Sequence, residues 1–367
     1  MPDGISVSVV VLTYNHEKYI RQCLDSVLMQ KTDFTFEILI GEDCSTDDTA
    51  LIVAEYVKTN PDIMTAFFSE RNKGATKNGY DTLSQTKGDY VAFIEGDDYW
   101  TSPLKLQKQF DFLENNKSFS SCYTRSMWID QYNKQIPQSE NYISKGVYTF
   151  DDFDGYHFVG DTCTIFYRNF FLDKSHDYTG TYKCHNLIGD LAILLITLTR
   201  GNSICLDEVM AVRRRIVDAN AHNATSIQYR HPHMHYEFYK YYLKLENYMR
   251  REFGKKIYIA RREWLFSAHV TKCLQNLSID GLKYTFIMIT KSKKPLKYTL
   301  VFFKELFMYP KMMTKKIKER WHRKLQNDLL DTRRRVILCQ QQLERLRAEN
   351  AAIQSKLDKL INCKNGE

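Results

Sequence analysis

The sequence predicts an α/β protein built on a mostly parallel sheet flanked by helices, followed by a helical region and a C-terminal coiled coil. Three observations predict it. Short apolar runs alternate with helix-like stretches over the first 125 residues, acidic clusters follow several of these runs, and the last 45 residues carry a heptad pattern. Alternation of this kind implies right-handed βαβ units, whose ligands bind beyond the carboxyl ends of the strands.

The composition is that of a globular protein of about two domains. The chain has 367 residues, 43% of them hydrophobic, and only 7 Pro, which excludes a collagen-like or wholly disordered chain. Its 9 Cys form no C-x-x-C pair, so zinc ribbons and thioredoxin-type sites are not expected. The chain starts without the cationic region of a signal peptide and has no run of 18 apolar residues. We therefore expect a cytoplasmic location.

The elements of the first part follow from apolar spacing and capping residues. The helix at Glu17–Met29 is predicted by Ile20, Leu24 and Val27, which lie on one face. Ser45 or Thr46 can cap the second helix, and Pro103 fits the first turn of the fourth. The predicted strands are Ser6–Thr13, Phe36–Ile40, Ile63–Phe68 and Tyr90–Ile94, and the remaining helices run from residue 45 or 46 to Val57, over Thr76–Gln85 and from Pro103 to Asn115.

Beyond residue 125 the pattern loosens. We expect an apolar helix at Leu187–Thr199, with Asp190 in its first turn, a strand at Ser203–Leu206, and helices rich in Tyr, Phe and Lys between Pro232 and Phe307. The expected domains are residues 1–225, divided at 125 into a nucleotide-sugar half and an acceptor half, then a helical, basic and aromatic extension over 226–320, and an oligomerisation segment over 321–363.

The last segment has the spacing of a coiled coil. Apolar residues recur in alternating steps of four and three from Leu325 to Leu360, and Asn350 falls on an a position, which favours a parallel homodimer. An amphipathic helix packed on its own domain is the alternative.

Positive charge is concentrated late in the chain. Residues 1–150 carry 14 basic and 21 acidic side chains, whereas residues 311–367 carry 15 and 7. The basic, Phe-rich stretch Lys291–Lys324 could contact the inner face of an anionic membrane or be an ordinary packing surface. No nucleic-acid-binding motif accompanies the charge, and we expect no nucleic-acid partner.

The acidic clusters at strand ends suggest metal and phosphate chemistry. Asp97 and Asp98 follow a buried strand and are the best candidate ligands for Mn²⁺ or Mg²⁺, which bind one or two carboxylates together with substrate phosphates. Asp43, after the second strand, could accept a hydrogen bond from a nucleobase or ribose. Each carboxylate alone could instead be a solvated loop residue or a helix cap.

Four runs together resemble a family 2 glycosyltransferase of the GT-A, Rossmann-like fold. They are SVVVLTYNHEKYIRQCLDSVLMQ, EILIGEDCSTDDT, RNKGATKNG and GDYVAFIEGDDYW, and they span roughly residues 5–115 in the family's order and spacing. The resemblance implies an inverting transfer from a nucleotide-diphosphate sugar, helped by a divalent metal. It is strongest for bacterial enzymes of cell-surface polysaccharide synthesis, and so implies a glycan or lipid-linked acceptor.

The resemblance also implies roles for single residues. It places Thr13, Tyr14 and Asn15 at the base and ribose, Asp43 at a uracil-type base, and Asp97 and Asp98 in the Asp-x-Asp region that touches ribose and metal. Asn78 and Trp100 would lie near the donor sugar.

A second stretch, IGDLAILLITLTRGNSICLDEVMAVRRR, resembles the acceptor side of the same family. It makes Asp190 the candidate general base, although this residue could simply cap its helix. Arg213, Arg214 or Arg215 could hold the diphosphate, or could be a surface basic run. His222 or His231 could complete the metal site.

The sequence departs from the family at several positions. Glu42 and Glu95 stand where Asp is frequent, Leu12 where Pro is common, and Gly189 where an acid often precedes the base. The Q-x-x-R-W signature of processive synthases is absent, which favours transfer of single sugars.

Two other functions were weighed. A dinucleotide-dependent oxidoreductase would need G-x-G-x-x-G after the first strand, where this chain has T-Y-N-H-E-K. A coiled-coil scaffold with an inactive transferase-like domain would be expected to lack Asp97 and Asp98.

Overall fold

A computed structural model of the chain describes residues 4–138, 146–216, 231–276, 278–292 and 294–308. Among these residues the chain divides into two units. One runs to His269 and includes Lys283–Lys291, and the other comprises Val270–Leu282 and the residues from Ser292 onward. The predicted coiled coil at 321–363 lies outside the described residues, and the predicted domain boundaries stay predictions.

The first unit is built on a sheet whose first half matches the predicted alternation. Strands and helices follow one another as β1 (Val7–Thr13), α1 (Ile20–Leu28), β2 (Phe36–Glu42), α2 (Thr49–Thr59), β3 (Met64–Phe68), α3 (Ala75–Leu83), β4 (Tyr90–Glu95), β5 (Tyr99–Trp100) and α4 (Lys105–Asn115). β1 pairs in parallel with both β2 and β4, and β2 pairs in parallel with β3. Thr13, Glu42 and Glu95 therefore end their strands at one edge of the sheet.

The sheet as a whole is mixed, not mostly parallel as the sequence predicted, because its second half contains antiparallel pairs. This second half contains β6 (Phe119–Asp130), β7 (Val147–Tyr148), β8 (Phe166–Arg168) and β9 (Asn202–Arg215), with two helices, α5 (Gly180–Lys183) and α6 (Asp190–Leu198), before β9. β8 pairs antiparallel with β4 and β6, while β9 pairs parallel with β6 and antiparallel with β5 and β7. The described strands thus form one mixed sheet in the order β3-β2-β1-β4-β8-β6-β9-β5, with β7 on β9.

The core explains why these runs form these elements. Alternate residues of β1, Val7, Val9 and Val11, are fully buried and pack with the apolar face of α1, Ile20 and Leu24 among it. Strands covered on both faces are mostly apolar, and in β1 the buried Ser8 is the exception within the apolar run, with its Oγ donating to Glu37 at 2.6 Å. Helix α6 is likewise apolar around its circumference, because every residue from Leu191 to Leu198 is buried.

Helices dominate the rest of the described chain. α7 (Met234–Phe253), α8 (Arg261–Asn276) and α9 (Ile279–Thr290) are followed by α10, which covers residues 295–308. Within the first unit, a buried ion pair joins α7 to the start of α8, since Arg262 Nη2 lies 2.8 Å from Glu246 Oε1. No helix in the described part of the chain is long and apolar enough to cross a membrane.

Candidate active site

The loops that follow β1 and β2 are tied together by Asn15. This residue has a positive φ of 56°, a conformation that Asn tolerates better than most residues. Its backbone N–H donates to Ser45 Oγ at 2.9 Å, and its Oδ1 accepts from the backbone N–H of Thr46 at 2.8 Å. Asn15, predicted to contact the nucleotide, therefore uses its carboxamide oxygen to hold the loop beside it. Tyr14, next to it, keeps partial solvent exposure.

Thr13 ends β1 next to the acidic loop after β4. Its Oγ1 lies 3.3 Å from His16 Nδ1, and His16 Nε2 lies 3.9 Å from an oxygen of Asp97. Gly96 is needed between them, because a Cβ on Gly96 would come within 2.8 Å of both His16 Nδ1 and Thr13 Oγ1. Thr13 and Asp97, predicted for one nucleotide site, are therefore brought together.

Asp43 is buried at the end of β2 and fixes the glycine-containing loop before α3. Its two carboxylate oxygens accept hydrogen bonds from the backbone N–H groups of Lys73, at 2.8 Å, and Gly74, at 2.9 Å. Burial raises the pKa of Asp43, and these two hydrogen bonds oppose the rise. Each oxygen keeps a second lone pair, so a contact with a nucleobase remains compatible with this anchoring role.

Glu42 has a related local role. Its two carboxylate oxygens accept from the backbone N–H groups of Cys44, at 3.1 Å, and Ser45, at 2.8 Å. It shapes the loop that carries Asp43 and is 2% exposed.

Three carboxyl groups crowd the loop after β4. Burial and the charge of Asp97 raise the pKa of Glu95 to about 8 and that of Asp98 well above its usual range. Asp98 Oδ1 accepts from the backbone N–H of Arg214 at 2.7 Å, while Glu95 Oε2 is buried with no hydrogen-bond partner among the described residues. Without a cation this cluster is electrostatically unfavourable.

Asp190 belongs to the same electrostatic cluster. It is the first residue of α6, after Gly189 at the N-cap position, and its Oδ1 accepts from the backbone N–H of Leu191 at 2.8 Å. Its side chain is solvent-accessible, yet the protein around it limits hydration enough to raise its pKa. Its charge also contributes to the raised pKa of Glu95. The proposed base is thus an exposed carboxylate in the first turn of α6.

Two of the three arginines at the end of β9, Arg213 and Arg214, have different roles. Arg214 is buried, with its backbone N–H on Asp98, its Nε donating to the carbonyl of Asp97 at 3.1 Å and its Nη1 donating to Asn133 at 2.6 Å. It therefore holds the acidic loop. The charge of Arg213 lowers the pKa of Glu95, Asp98 and Asp190.

The structure places Asn78 and Trp100 in the interior. Asn78 is 3% exposed and donates from Nδ2 to the carbonyl of Gly41 at 2.8 Å. Trp100 is 1% exposed, and its Nε1 donates to the carbonyl of Cys163 at 2.8 Å. The polar groups of both side chains are thus bound to buried backbone carbonyl groups. The structure does not bring Asn78 and Trp100 to the sheet edge where the carboxylates lie.

Sequence reasoning did not single out Asp161, Ser126 and Trp128. Asp161 accepts from Arg213 Nη1 at 2.6 Å, from Trp128 Nε1 at 2.7 Å and from Ser126 Oγ. The local sequence around Asp161 carries no motif, and its contacts span 33 to 52 residues along the chain, so no local signal could have found it.

The donor set suits a hard divalent cation. In the described ranges no group of three or more His, Cys, Asp or Glu side chains is arranged to hold a metal ion. Two carboxylates with substrate phosphates suffice for Mg²⁺, however, and Asp97 and Asp98 supply such a pair. Of the histidines considered, His222 lies outside the described residues, while His231 is exposed and its Nδ1 accepts from the backbone N–H of His233.

The mixed α/β sheet with flanking helices, with carboxylates following its parallel strands at one edge, is consistent with the GT-A fold. Residues 8–173 match the family described as glycosyl transferase family 2, and this part of the chain is a domain of that family.

Relatives of known sequence match part of the chain. An uncharacterised protein of Mycobacterium tuberculosis is 41% identical over 117 residues, which are 32% of this chain and 34% of the relative. TuaG of Bacillus subtilis, provisionally named a teichuronic acid biosynthesis glycosyltransferase, is 38% identical over 115 residues, 31% of this chain and 44% of TuaG. The matched regions span a third to under half of these relatives.

A solved structure shows the same fold over a longer range. The crystal structure of Staphylococcus aureus TarS residues 1–349 in complex with UDP-GlcNAc superposes with a TM-score of 0.51 at 20% identity. The superposition covers 83% of this chain and 80% of the TarS chain. At this identity the likeness establishes the fold.

Proposed function

We propose that the protein is an inverting, metal-dependent glycosyltransferase that moves a sugar from a uracil-nucleotide diphosphate donor to a carbohydrate or lipid-linked acceptor of cell-surface glycan synthesis. The observation that carries the proposal is the group of carboxylates at the end of β4, where the charges of Asp97 and Asp190 raise the pKa of Glu95 and the charge of Arg213 opposes the rise. The names of TuaG and of TarS in complex with UDP-GlcNAc support the class of donor and acceptor.

Donor binding is assigned to the loops after β1, β2 and β4. Asp43, positioned with the loop of Lys73 and Gly74, would accept from the base, and Thr13, Tyr14 and Asn15 would flank base and ribose. Asp97 and Asp98 would hold Mn²⁺ or Mg²⁺. Such an ion, when bound, neutralises the diphosphate and the charge that develops as it leaves.

Asp190 would accept the proton of the acceptor hydroxyl. In an inverting transfer that hydroxyl oxygen attacks the anomeric carbon from the face opposite the diphosphate, and one carboxylate takes its proton. The raised pKa of Asp190 suits this role, because a base of higher pKa holds the transferred proton better. Its exposed position leaves it accessible to an acceptor.

The experiment that tests the proposal is a screen of nucleotide sugars for hydrolysis and thermal stabilisation, in the presence of Mn²⁺ or Mg²⁺. We expect UDP-sugars to give both signals, and EDTA to abolish them. Equal responses to nucleotide sugars with and without metal, or no response to any of them, would contradict the proposal. An inactive coiled-coil scaffold predicts the second result.

Peripheral membrane contact is a further part of the proposal, and it is supported by α10. Leu296, Leu300, Phe303 and Phe307 recur at helical spacing and are 74%, 63%, 50% and 82% exposed. Lys297 and Lys304 lie on the same helix. An exposed apolar stripe with neighbouring basic residues is typical of helices that lie on anionic bilayers. A cytoplasmic location and a parallel homodimer through residues 321–363 complete the proposal.

A further inference from the structure

Asp161 is a buried carboxylate whose protein partners fix one guanidinium group. Its side chain has no exposed surface, and it lies before β8, outside the strands that carry the acidic loop. One oxygen accepts from Trp128 Nε1 at 2.7 Å and from Ser126 Oγ, and the other accepts from Arg213 Nη1 at 2.6 Å. A buried carboxylate with three such partners is strongly oriented, and it orients them in turn.

The strand geometry determines where Arg213 lies. β5 pairs with β9 through Tyr99 and Val212, and the backbone N–H of Arg214 binds Asp98. Arg213 thus lies between Val212, which pairs with Tyr99, and Arg214, which binds Asp98. Because successive residues of a strand face opposite sides, Arg213 and Arg215 share a side, and both guanidinium carbons lie 5.2 Å from the centre of the Trp128 ring.

We propose that Asp161 is a positioning residue that holds the Arg213 guanidinium against Trp128, so that Arg213 contacts the terminal phosphate of the donor nucleotide. The proposal rests on the proposed function. During transfer the bond from the acceptor oxygen to the anomeric carbon forms, and the bond from that carbon to the diphosphate oxygen breaks. The bonding electrons stay on the diphosphate, and the acceptor proton goes to Asp190. A guanidinium held at that phosphate stabilises the charge that develops there.

The direction in which diphosphate affinity changes when Asp161 is removed distinguishes this positioning role from a simple charge effect. Removing a carboxylate near an anion site should by itself strengthen binding of a diphosphate, because a repulsive charge is lost. If Asp161 positions Arg213, its removal should weaken diphosphate binding in spite of that gain. Direction alone therefore distinguishes the two explanations.

The test compares UDP with UMP, which lacks the terminal phosphate, by calorimetry with Mn²⁺ on the full chain. Arg213→Gln should lower the ratio of UDP to UMP affinity about tenfold, the usual effect of losing one charge-assisted hydrogen bond. Asp161→Asn should lower it about threefold or more, and the double variant should fall no further than Arg213→Gln. Trp128→Phe, which loses one hydrogen bond to Asp161 and keeps a ring, should lower the ratio by a smaller factor.

Asp207→Asn is the matched control. Asp207 is an exposed carboxylate that pairs with Arg125 at 2.6 Å, so its loss removes the same charge without touching Arg213. Its UDP to UMP ratio should stay the same or rise. Turnover provides the second readout: Asp161→Asn should reduce kcat in the wild-type background and have no effect in the Arg213→Gln background.

An unchanged or raised ratio in Asp161→Asn, or additive losses in the double variant, would overturn the inference. If Asp161→Asn does not fold, Trp128→Phe and Arg213→Gln decide, and an unchanged ratio in both overturns it. Failure of the wild-type protein to bind UDP would instead contradict the proposed function, so the two failures are distinguishable.

Discussion

Replacing Lys105 by Met should stabilise the protein, although it removes a charged hydrogen bond. Lys105 is fully buried in the first turn of α4, where its Nζ donates to Gln109 Oε1 at 2.6 Å and lies 4.2 Å from the centre of the Trp100 ring. Burial lowers the pKa of this amine from 10.5 to about 7. Met keeps the unbranched stem that packs on Trp100 and has no charge to desolvate.

The magnitude follows from the contacts of Lys105. The difference between a pKa of 10.5 and about 7 corresponds to about 5 kcal/mol of destabilisation at pH 7. Attraction of the ammonium to the Trp100 ring offsets up to about 2 kcal/mol of this. Losing the donor to the buried Gln109 side chain costs the variant about 1 kcal/mol more. We therefore expect Lys105→Met to raise the free energy of unfolding by about 2 kcal/mol, or several degrees in Tm.

The effect should depend on pH with a definite sign. A lysine whose pKa is lower in the folded state binds fewer protons there than in the unfolded chain, between pH 7 and pH 10.5. The free energy of unfolding of the wild type should therefore rise with pH across this window relative to that of the variant. The difference between the two proteins should be largest at pH 7 and below, and should shrink towards pH 10.

Thermal and urea unfolding at pH 6, 7, 8.5 and 9.5 measure the effect. Lys108→Met is the matched control, because Lys108 lies on the same helix but is exposed and paired with Glu208, and its loss should change stability by less than about 0.5 kcal/mol. A Lys105→Met protein that is less stable at pH 7, or whose stability difference does not change with pH, would refute this reasoning.

Three further predictions address the site and the late segments. Asp190→Asn should retain UDP binding and lose about 10²-fold or more in kcat, because the carboxylate that accepts the proton is gone; near-normal turnover would assign the base elsewhere. Replacing both Leu300 and Phe307 by Ser should reduce flotation with anionic liposomes, without changing hydrolysis of a soluble donor, since both side chains are exposed on α10. Salt-insensitive flotation that survives the double change would argue against membrane contact through this helix. A chain ending at Arg320 should sediment as a smaller species than the full chain, and an unchanged oligomer would contradict the coiled coil.

The first half of the fold could be predicted because the pattern of apolar residues within each short segment specifies its strands and helices. β1, β2 and β4 each contain a largely apolar, buried run, and each predicted strand lies within a residue or two of the observed one. The acidic residues after β4 could be placed on the rim because parallel strands end at the same edge.

The second half could not be predicted because its strands are defined by distant partners. β9 extends to Arg215, well past the predicted Ser203–Leu206, because pairing with β6 and β5 continues the strand beyond the exposed Asp207 and Glu208, where the apolar pattern is interrupted. β8 lies antiparallel between β4 and β6 through contacts between residues about 45 to 78 positions apart in the chain. The periodicity of a local sequence gives no indication of such contacts.

In the candidate site, too, some residues could be proposed from the sequence and others could not. Asp97, Asp98 and Asp190 were proposed from cluster position and resemblance, and Glu95 is the residue that connects them: Asp97 and Asp190 raise its pKa, and it raises that of Asp98. The sequence could not tell that Asn78 and Trp100 turn their polar groups inward. Nor could it separate Arg213 from Arg214, because their opposite orientations depend on the register of β9 against β5 and β6.

The central claim is that buried carboxylates at the end of β4 form a productive site only when a divalent cation and a nucleoside diphosphate occupy it together. Isothermal titration of UDP into the wild-type protein and Asp98→Ala, each with Mn²⁺ and with EDTA, tests this most directly. We expect UDP binding to the wild type to depend on Mn²⁺, and Asp98→Ala to lose that dependence along with most of the affinity. Equal UDP affinity with and without Mn²⁺ in the wild type, or an Asp98→Ala protein that binds as the wild type does, would contradict it.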